Sequence, residues 1–295
     1  MQSNKRRKNE QIPVFLGKEN TDDFIRIISK EATFKRLPNS NEFELLRGVI
    51  DSSLIILYVT GKLVYQKNEK IRKLIEFLFY EKFKDESTTV GSDEAGKGEI
   101  VGPLVTAAVA LTPKQAAYLS SVGVTDSKLI PDNRIEMLAK EIIHNCQASS
   151  TLSIYPMKFN ILLKNYSSKG LGLNDILALA HSIVIRRVVL KLKEKSYSIV
   201  IDEFDSSKSK GKIKWIVEKL RAPNVHSFTK AESVPAVASA SILARYKYLK
   251  WVSKNLSKEE LEELRRDPTS YASKVNYSPS LFKLAYFHSS FKNNF

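Results

Sequence analysis

The run Gly91-Ser-Asp-Glu-Ala-Gly-Lys-Gly-Glu99 constrains the fold of this chain more than any other stretch. It begins on a short β-prone segment and ends in a glycine-rich turn. Side chains alternate between the two faces of a strand, so the adjacent acids Asp93 and Glu94 can serve one site only where a strand ends and the chain turns. Gly96 and Gly98 permit that turn. Two like charges this close raise each other's pKa unless a cation lies between them. A hard divalent cation with oxygen ligands removes that cost, and it points to phosphodiester chemistry.

The same stretch nearly matches the phosphate-binding loop G-x-x-x-x-G-K-[ST] through Gly91, Gly96 and Lys97. Gly98 stands where that loop needs a hydroxyl, and Asp93 and Glu94 would repel a triphosphate from within it. The nucleotide-binding reading is therefore set aside.

Other acids also fall at the ends of elements. The β-rich apolar run over 197–201 stops at Asp202, with Glu203 and Asp205 close behind, so spacing alone leaves open which of them is a ligand. Glu232 precedes a helix whose first turn suits Pro235, and taken by itself it could equally serve the helix dipole. Ala236, Ala238, Ala240 and Ala244 give that helix a small face that can pack close to a sheet. Further strands are predicted over 101–111, 151–155 and 224–228, and helices over 131–146, 173–193, 212–220 and 234–252. Together they imply a mixed α/β sheet covered by helices, in which sites form beyond strand ends. A charged surface helix is predicted over 258–266, and His181, on an apolar helix, reads as a packed structural residue.

Ahead of this part, a helix is predicted over 21–32, a strand–turn–strand over 53–66 and an amphipathic helix over 68–83. These make a compact α+β unit over 11–86, with a polar linker over 85–89. Residues 1–10, with Lys5, Arg6, Arg7 and Lys8, read as a basic disordered arm. The catalytic part is placed at 88–295.

The net charge of +15 is unevenly spread: residues 1–88 carry +4 and residues 89–295 carry +11. Most of the positive excess thus accompanies the clustered acids, as a protein needs if it grips a phosphate backbone and holds a metal there. No run of about 18 apolar residues exists, so no membrane span is expected. The basic, polar first residues do not resemble a secretory signal. One cysteine, Cys146, excludes an intramolecular disulfide and a Cys-rich zinc site. It reads as a partly buried helix position and fits a reducing cytoplasm.

Four blocks in order carry a family resemblance. The run 93–99 resembles the signature of type 2 ribonucleases H. Thr125-Asp-Ser-Lys128 with Arg134 resembles a second block, Ile199-Val-Ile-Asp202 the strand bearing the third acid, and residues 230–245 the fourth. In the fourth block the ribonuclease HII branch generally has aspartate and the HIII branch glutamate, as at Glu232. Asn160 and residues 174–181 also resemble the HIII branch. Residues 54–65 with the following helix resemble the TATA-binding protein fold that this branch carries ahead of its catalytic domain. Lys97 departs from both patterns: HII enzymes usually have arginine there, and many HIII enzymes a small residue.

The resemblance spans roughly 88–293 and implies a ribonuclease H-like mixed sheet flanked by helices. It implies hydrolysis of the RNA strand of RNA–DNA hybrids, leaving 5′-phosphate and 3′-hydroxyl ends. Asp93, Glu94, Asp202 and Glu232 would be the catalytic ligands of two Mg2+ ions, with Mn2+ as an alternative. Gly96, Lys97, Gly98, Ser127, Lys128 and Ser233 would contact substrate, the backbone at 96–98 reading the 2′-hydroxyl that marks RNA. The N-terminal unit would grip the duplex. A cytoplasmic monomer without membrane contact is expected. The alternatives are an HII-like enzyme that also incises at single ribonucleotides in DNA, and a non-catalytic hybrid-binding protein, whose mark would be a missing acid. None of the four is missing.

Overall fold

A computed structural model of the chain describes residues 11–193, 196–202, 224–228 and 231–287. The basic arm, Glu203, Asp205 and the predicted helix over 212–220 lie outside the described residues. For Asp202, Glu232 and residues 224–228 the backbone alone is described. The chain forms two compact units: residues up to Ser87 together with Leu111–Thr125, and Thr88–Ala110 together with the chain from Asp126 onward.

The first unit contains β1 (Gln11–Phe15), α1 (Thr21–Ile28), β2 (Phe34–Leu37), β3 (Glu44–Ile50), β4 (Ser53–Tyr58), β5 (Lys62–Gln66) and α2 (Glu69–Phe83). Its sheet has the order β1-β5-β4-β3-β2, with every neighbouring pair antiparallel. Asp51 and Ser52 both have positive φ, which gives the two-residue β3–β4 turn the twist a tight hairpin needs. Asn68 caps α2 by accepting from the amides of Lys70 and Ile71. The 3.6-residue period of α2 then sends Ile71, Ile75, Leu78 and Phe79 into the core with Leu46, Ile55 and Leu57.

This unit also takes in α3 (Pro113–Ser121), whereas the sequence places these residues within a continuous catalytic part over 88–295. Thr112 and Gln115 form a reciprocal capping box, and Pro113 occupies the first turn. The helix packs on α2, with Ala117 fully buried in the core of the first unit. The guanidinium of Arg72 lies 5.1 Å from the centre of the Tyr118 ring. The hydroxyl of Tyr65 donates to the carbonyl of Ser121 at 3.4 Å. An apolar helix face and a ring–cation contact thus draw residues 111–125 out of the second unit.

The second unit contains β6 (Thr88–Ala95), β7 (Leu104–Leu111), α4 (Asp132–Asn145), β8 (Ala148–Ile154), α5 (Pro156–Ser167), α6 (Leu173–Val189), β9 (Tyr197–Asp202), β10 (Asn224–Phe228), α7 (Pro235–Asn255), α8 (Lys258–Arg266) and α9 (Pro268–Lys274). The sheet order is β10-β9-β6-β7-β8. β9 runs parallel to both β10 and β6, while β7 and β8 are antiparallel, so the sheet is mixed. Val90, Ile199 and Ile201 pack against Val184, Ile185 and Val188 of α6. On the β9 strand the intervening Val200 packs instead against Val237 of α7.

Helix α7 comes very close to β6 at Gly91. A Cβ placed there would stand 2.2 Å from the carbonyl carbon of Ala236 and from the amide nitrogen of Val237. Ala236, Ala238, Ala240 and Ala244 are all buried, which is the small-faced packing their spacing predicts.

A late segment braces the turn that follows β6. Val101 and Phe282 form an antiparallel bridge. The Gly102 amide donates to Leu281 O at 2.9 Å, and the Lys283 amide donates to Ile100 O at 2.8 Å. The side chain of Asn160 donates to Phe282 O and accepts from Leu284 N, both at 2.9 Å, and so ties this segment to α5. Among the described residues no helix is long and apolar enough to cross a membrane.

Candidate active site

The acids collect where the parallel pair β6–β9 ends. In the register Ser92 pairs with Ile201, so Asp93 and Asp202 are the next residues of adjacent strands. Alternation along β6 turns Gly91 and Asp93 toward α7, and Ser92 and Glu94 toward α6. The strand runs on to Ala95 rather than stopping at the acids. Asp93 and Glu94 nevertheless line one cavity of about 970 Å³, because they sit at the strand's open end, where both faces meet the same space. Asp93 Oδ1 accepts the amide of Glu94 at 2.8 Å.

The backbone of Glu232 lies in a single 3-10 turn, Ala231–Ser233, that leads into α7. Ala231 is buried against Val200 of β9, which sets this turn beside the third acid's strand. The small alanine face and Gly91 allow α7 to carry the turn this near the sheet.

Glu94 is held from two sides. His181 of α6, fully buried, holds Glu94 Oε2 from its Nε2 at 3.2 Å. Lys97 Nζ stands 3.6 Å from Oε1. Burial works to raise the Glu94 carboxyl, but the His181 hydrogen bond and charge, with Lys97 adding to them, hold it below the usual carboxylate range. The other ring nitrogen of His181, Nδ1, shares a 2.8 Å hydrogen bond with Ser92 Oγ, which in turn donates to Ala107 O at 2.8 Å. His181 is thus packed, as expected, but it also touches the site, which its apolar helical context gave no sign of.

The loop after β6 is tightly built. Gly96 has a φ of 80°, and a Cβ there would lie 2.2 Å from Pro103 O, so only glycine fits. Gly98 is exposed, with nothing within 4 Å of where its Cβ would be. The Tyr286 hydroxyl donates to Lys97 O. Lys283 is buried and donates from Nζ to Gly102 O at 2.7 Å and to Val101 O at 3.4 Å. Its burial pushes the ammonium down to about 7, against the pull of the Glu99 charge.

The second block adds the far wall. Ser127 is buried, its hydroxyl 2.8 Å from that of Ser241 on α7, whereas Lys128 is exposed at the rim of the same cavity. Arg245 donates to Ser127 O, to Ile130 O at 3.3 Å and to Asp132 Oδ1 at 2.6 Å, clamping the segment that carries Lys128. Ser233 is exposed beside Glu232.

Hard oxygen donors at adjoining strand ends suit a divalent cation such as Mg2+ or Mn2+. Among the described residues no three His, Cys, Asp or Glu side chains gather as a metal cluster. The side chains of Asp202 and Glu232 lie outside the described residues. Asp93 and Glu94 fit the group, since the two adjacent acids already open onto one cavity.

Residues 90–274 match the ribonuclease HII family model. Ribonuclease HIII of Phytoplasma mali is 32% identical over 218 residues, covering 73% of this chain and 72% of that protein. Ribonuclease HIII of Limosilactobacillus fermentum is 37% identical over 164 residues, or 55% of this chain; the match spans 52% of that relative, about half its length. The crystal structure of Bst-RNase HIII in complex with Mn2+ superposes with a TM-score of 0.55 over 94% of this chain and 96% of the other, at 20% identity. That last likeness is one of fold.

Proposed function

Because the chain belongs to the ribonuclease HII family, we propose that it is a metal-dependent endonuclease that cuts the RNA strand of RNA–DNA hybrids. Glu232 and the likeness to ribonuclease HIII proteins favour the HIII branch. The observation that carries the reading is the convergence of Asp93 and Glu94 on one cavity, with Asp202 next in register on the adjoining strand.

Asp93, Glu94, Asp202 and Glu232 would hold two Mg2+ ions, or Mn2+. Bound there, the ions would supply the Lewis acidity that activates a water and offsets charge on the leaving oxygen. Water attacks phosphorus and the P–O3′ bond breaks, which leaves 5′-phosphate and 3′-hydroxyl ends. The chain's own groups select and hold the strand. With open space beyond Gly98, its backbone can approach a ribose closely, so the amides and carbonyls of 96–98 would meet 2′-hydroxyls. Lys128, exposed at the rim, would bind a nearby phosphate, with Ser127 and Ser241 supporting it from behind. Lys97, now on Glu94, would turn to phosphate when a cation takes that carboxylate. Ser233, exposed next to Glu232, would contact the backbone of the cut strand.

The first unit, in which the sequence of residues 54–65 and the following helix resembles the TATA-binding protein fold, would grip the duplex and raise affinity. A reducing cytoplasm is the setting that the single cysteine fits, and the enzyme would act there as a monomer. One gel tests the assignment: a uniform RNA–DNA hybrid and a duplex with one embedded ribonucleotide, each incubated with Mg2+ or Mn2+. Cleavage of the hybrid alone is the expected result. Cleavage of both would move the protein to the HII-like reading, and cleavage of neither would remove the enzyme assignment. Asp93→Asn is expected to fold and to lose metal-dependent cleavage.

A further inference from the structure

His181 takes no part in the chemistry proposed above, yet it is fully buried and bonded through both ring nitrogens. Ser92 and Glu94 are two residues apart on β6, so strand geometry puts them on one face, and the imidazole spans them. Ser92 is itself fixed, fully buried and donating to Ala107 O of the neighbouring strand β7 at 2.8 Å. The chain of contacts therefore runs from the β7 backbone through Ser92 and His181 to Oε2 of Glu94. His181 thus engages Oε2 of Glu94, while Lys97 approaches Oε1 at 3.6 Å.

We propose that His181 is a positioning residue that holds Glu94 by one oxygen, so that Glu94 serves a metal ion through Oε1 alone. The proposal rests on the reading of Glu94 as a metal ligand. It assigns a task to a residue that never contacts substrate: a carboxylate with both oxygens free could chelate, rotate or withdraw, whereas one pinned from behind presents a single lone-pair direction. Outer-shell partners of this kind change metal affinity or activity by about 10–100-fold when removed.

The test uses the full chain and Mn2+ alone as probe, with binding read by titration calorimetry and by the loss of the free-ion paramagnetic resonance signal. His181→Ala and His181→Gln remove or shorten the bridge, and Ser92→Ala frees its far end while leaving the His181–Glu94 bond possible. Circular dichroism melts identify the variants that remain folded; Ser92→Ala, the smallest change, keeps the test alive where a His181 variant unfolds. The expected result is Mn2+ affinity down about 10–100-fold in the His181 variants and by a smaller factor in Ser92→Ala. The kcat for hybrid cleavage should fall with it. KM, and hybrid affinity measured in EDTA by fluorescence anisotropy, should stay within about twofold. Folded variants that bind Mn2+ within twofold of the parent would overturn the proposal. Asp93→Asn separates this failure from that of the underlying reading: if it too binds Mn2+ normally, the carboxylate site itself is wrong, and the role of His181 falls with it.

Discussion

At Gly91 the lack of a side chain decides how near α7 can come to β6. Gly91→Ala would put a methyl 2.2 Å from two backbone atoms of α7, which cannot yield as a flexible side chain would. The helix would have to retreat, at about 1–3 kcal/mol or more, and would carry Glu232 away from Asp93. The expected outcome is a lower urea midpoint and a loss of cleavage larger than the stability change explains. Tyr286→Phe acts more narrowly. It removes a donor to Lys97 O and should raise KM for the hybrid several-fold with little change in melting temperature. Of the residues around the site, the acids and glycines could be read in the sequence because like charges and special backbone conformations have few other uses. His181, Arg245 and Tyr286 act through partners that lie 87, 118 and 189 positions away, and nothing local records such pairings.

Among the elements, Lys283 gives the brace over 281–286 a pH signature. Unfolded, a lysine titrates near about 10.4; folded, this one titrates at about 7. Between those values the unfolded chain holds a proton that the folded chain lacks, so stability rises with pH across that window and is at its lowest below pH 7. Lys283→Met should flatten the rise in melting temperature between pH 7 and 9, as measured by calorimetry at several pH values. The α3 helix offers a second test: Thr112→Ala breaks its capping box and should cost about 1 kcal/mol in a denaturant melt. That helix and α5 both open on signals readable in sequence, Thr112 with Gln115 and Pro156 at a first turn, yet neither was predicted. In α3 the apolar residues are few and mostly small, and in α5 Met157 and Ile161 stand exposed beside the buried Phe159, so periodicity, which revealed α2 and α6, was faint. Strand β3 was missed for a different reason: Arg47 and Gly48 interrupt an alternation that the fold completes with buried Glu44 bonded to Arg47.

For the whole molecule, the charge of +15 and the two-unit organisation make joint demands. Hybrid affinity should fall steeply between 50 and 200 mM salt, by about tenfold or more, because binding releases counterions from the duplex. Anisotropy titrations at several salt concentrations would measure the slope. Deleting residues 1–88 should weaken binding more than it slows saturated turnover. It would also strip α3 of its partner, leaving Ala117 uncovered, so a fair deletion must replace the face of α3 as well.

The brace has a consequence in time. Lys97 and the tyrosine that holds its carbonyl are 189 positions apart. At about 5–20 residues per second, a ribosome needs about 10–40 s to pass from one to the other. During that interval a nascent chain carries Asp93, Glu94 and their loop without the segment that fixes the loop's shape. The loop after β6 therefore gains its brace late in synthesis, well after the first acids have left the ribosome.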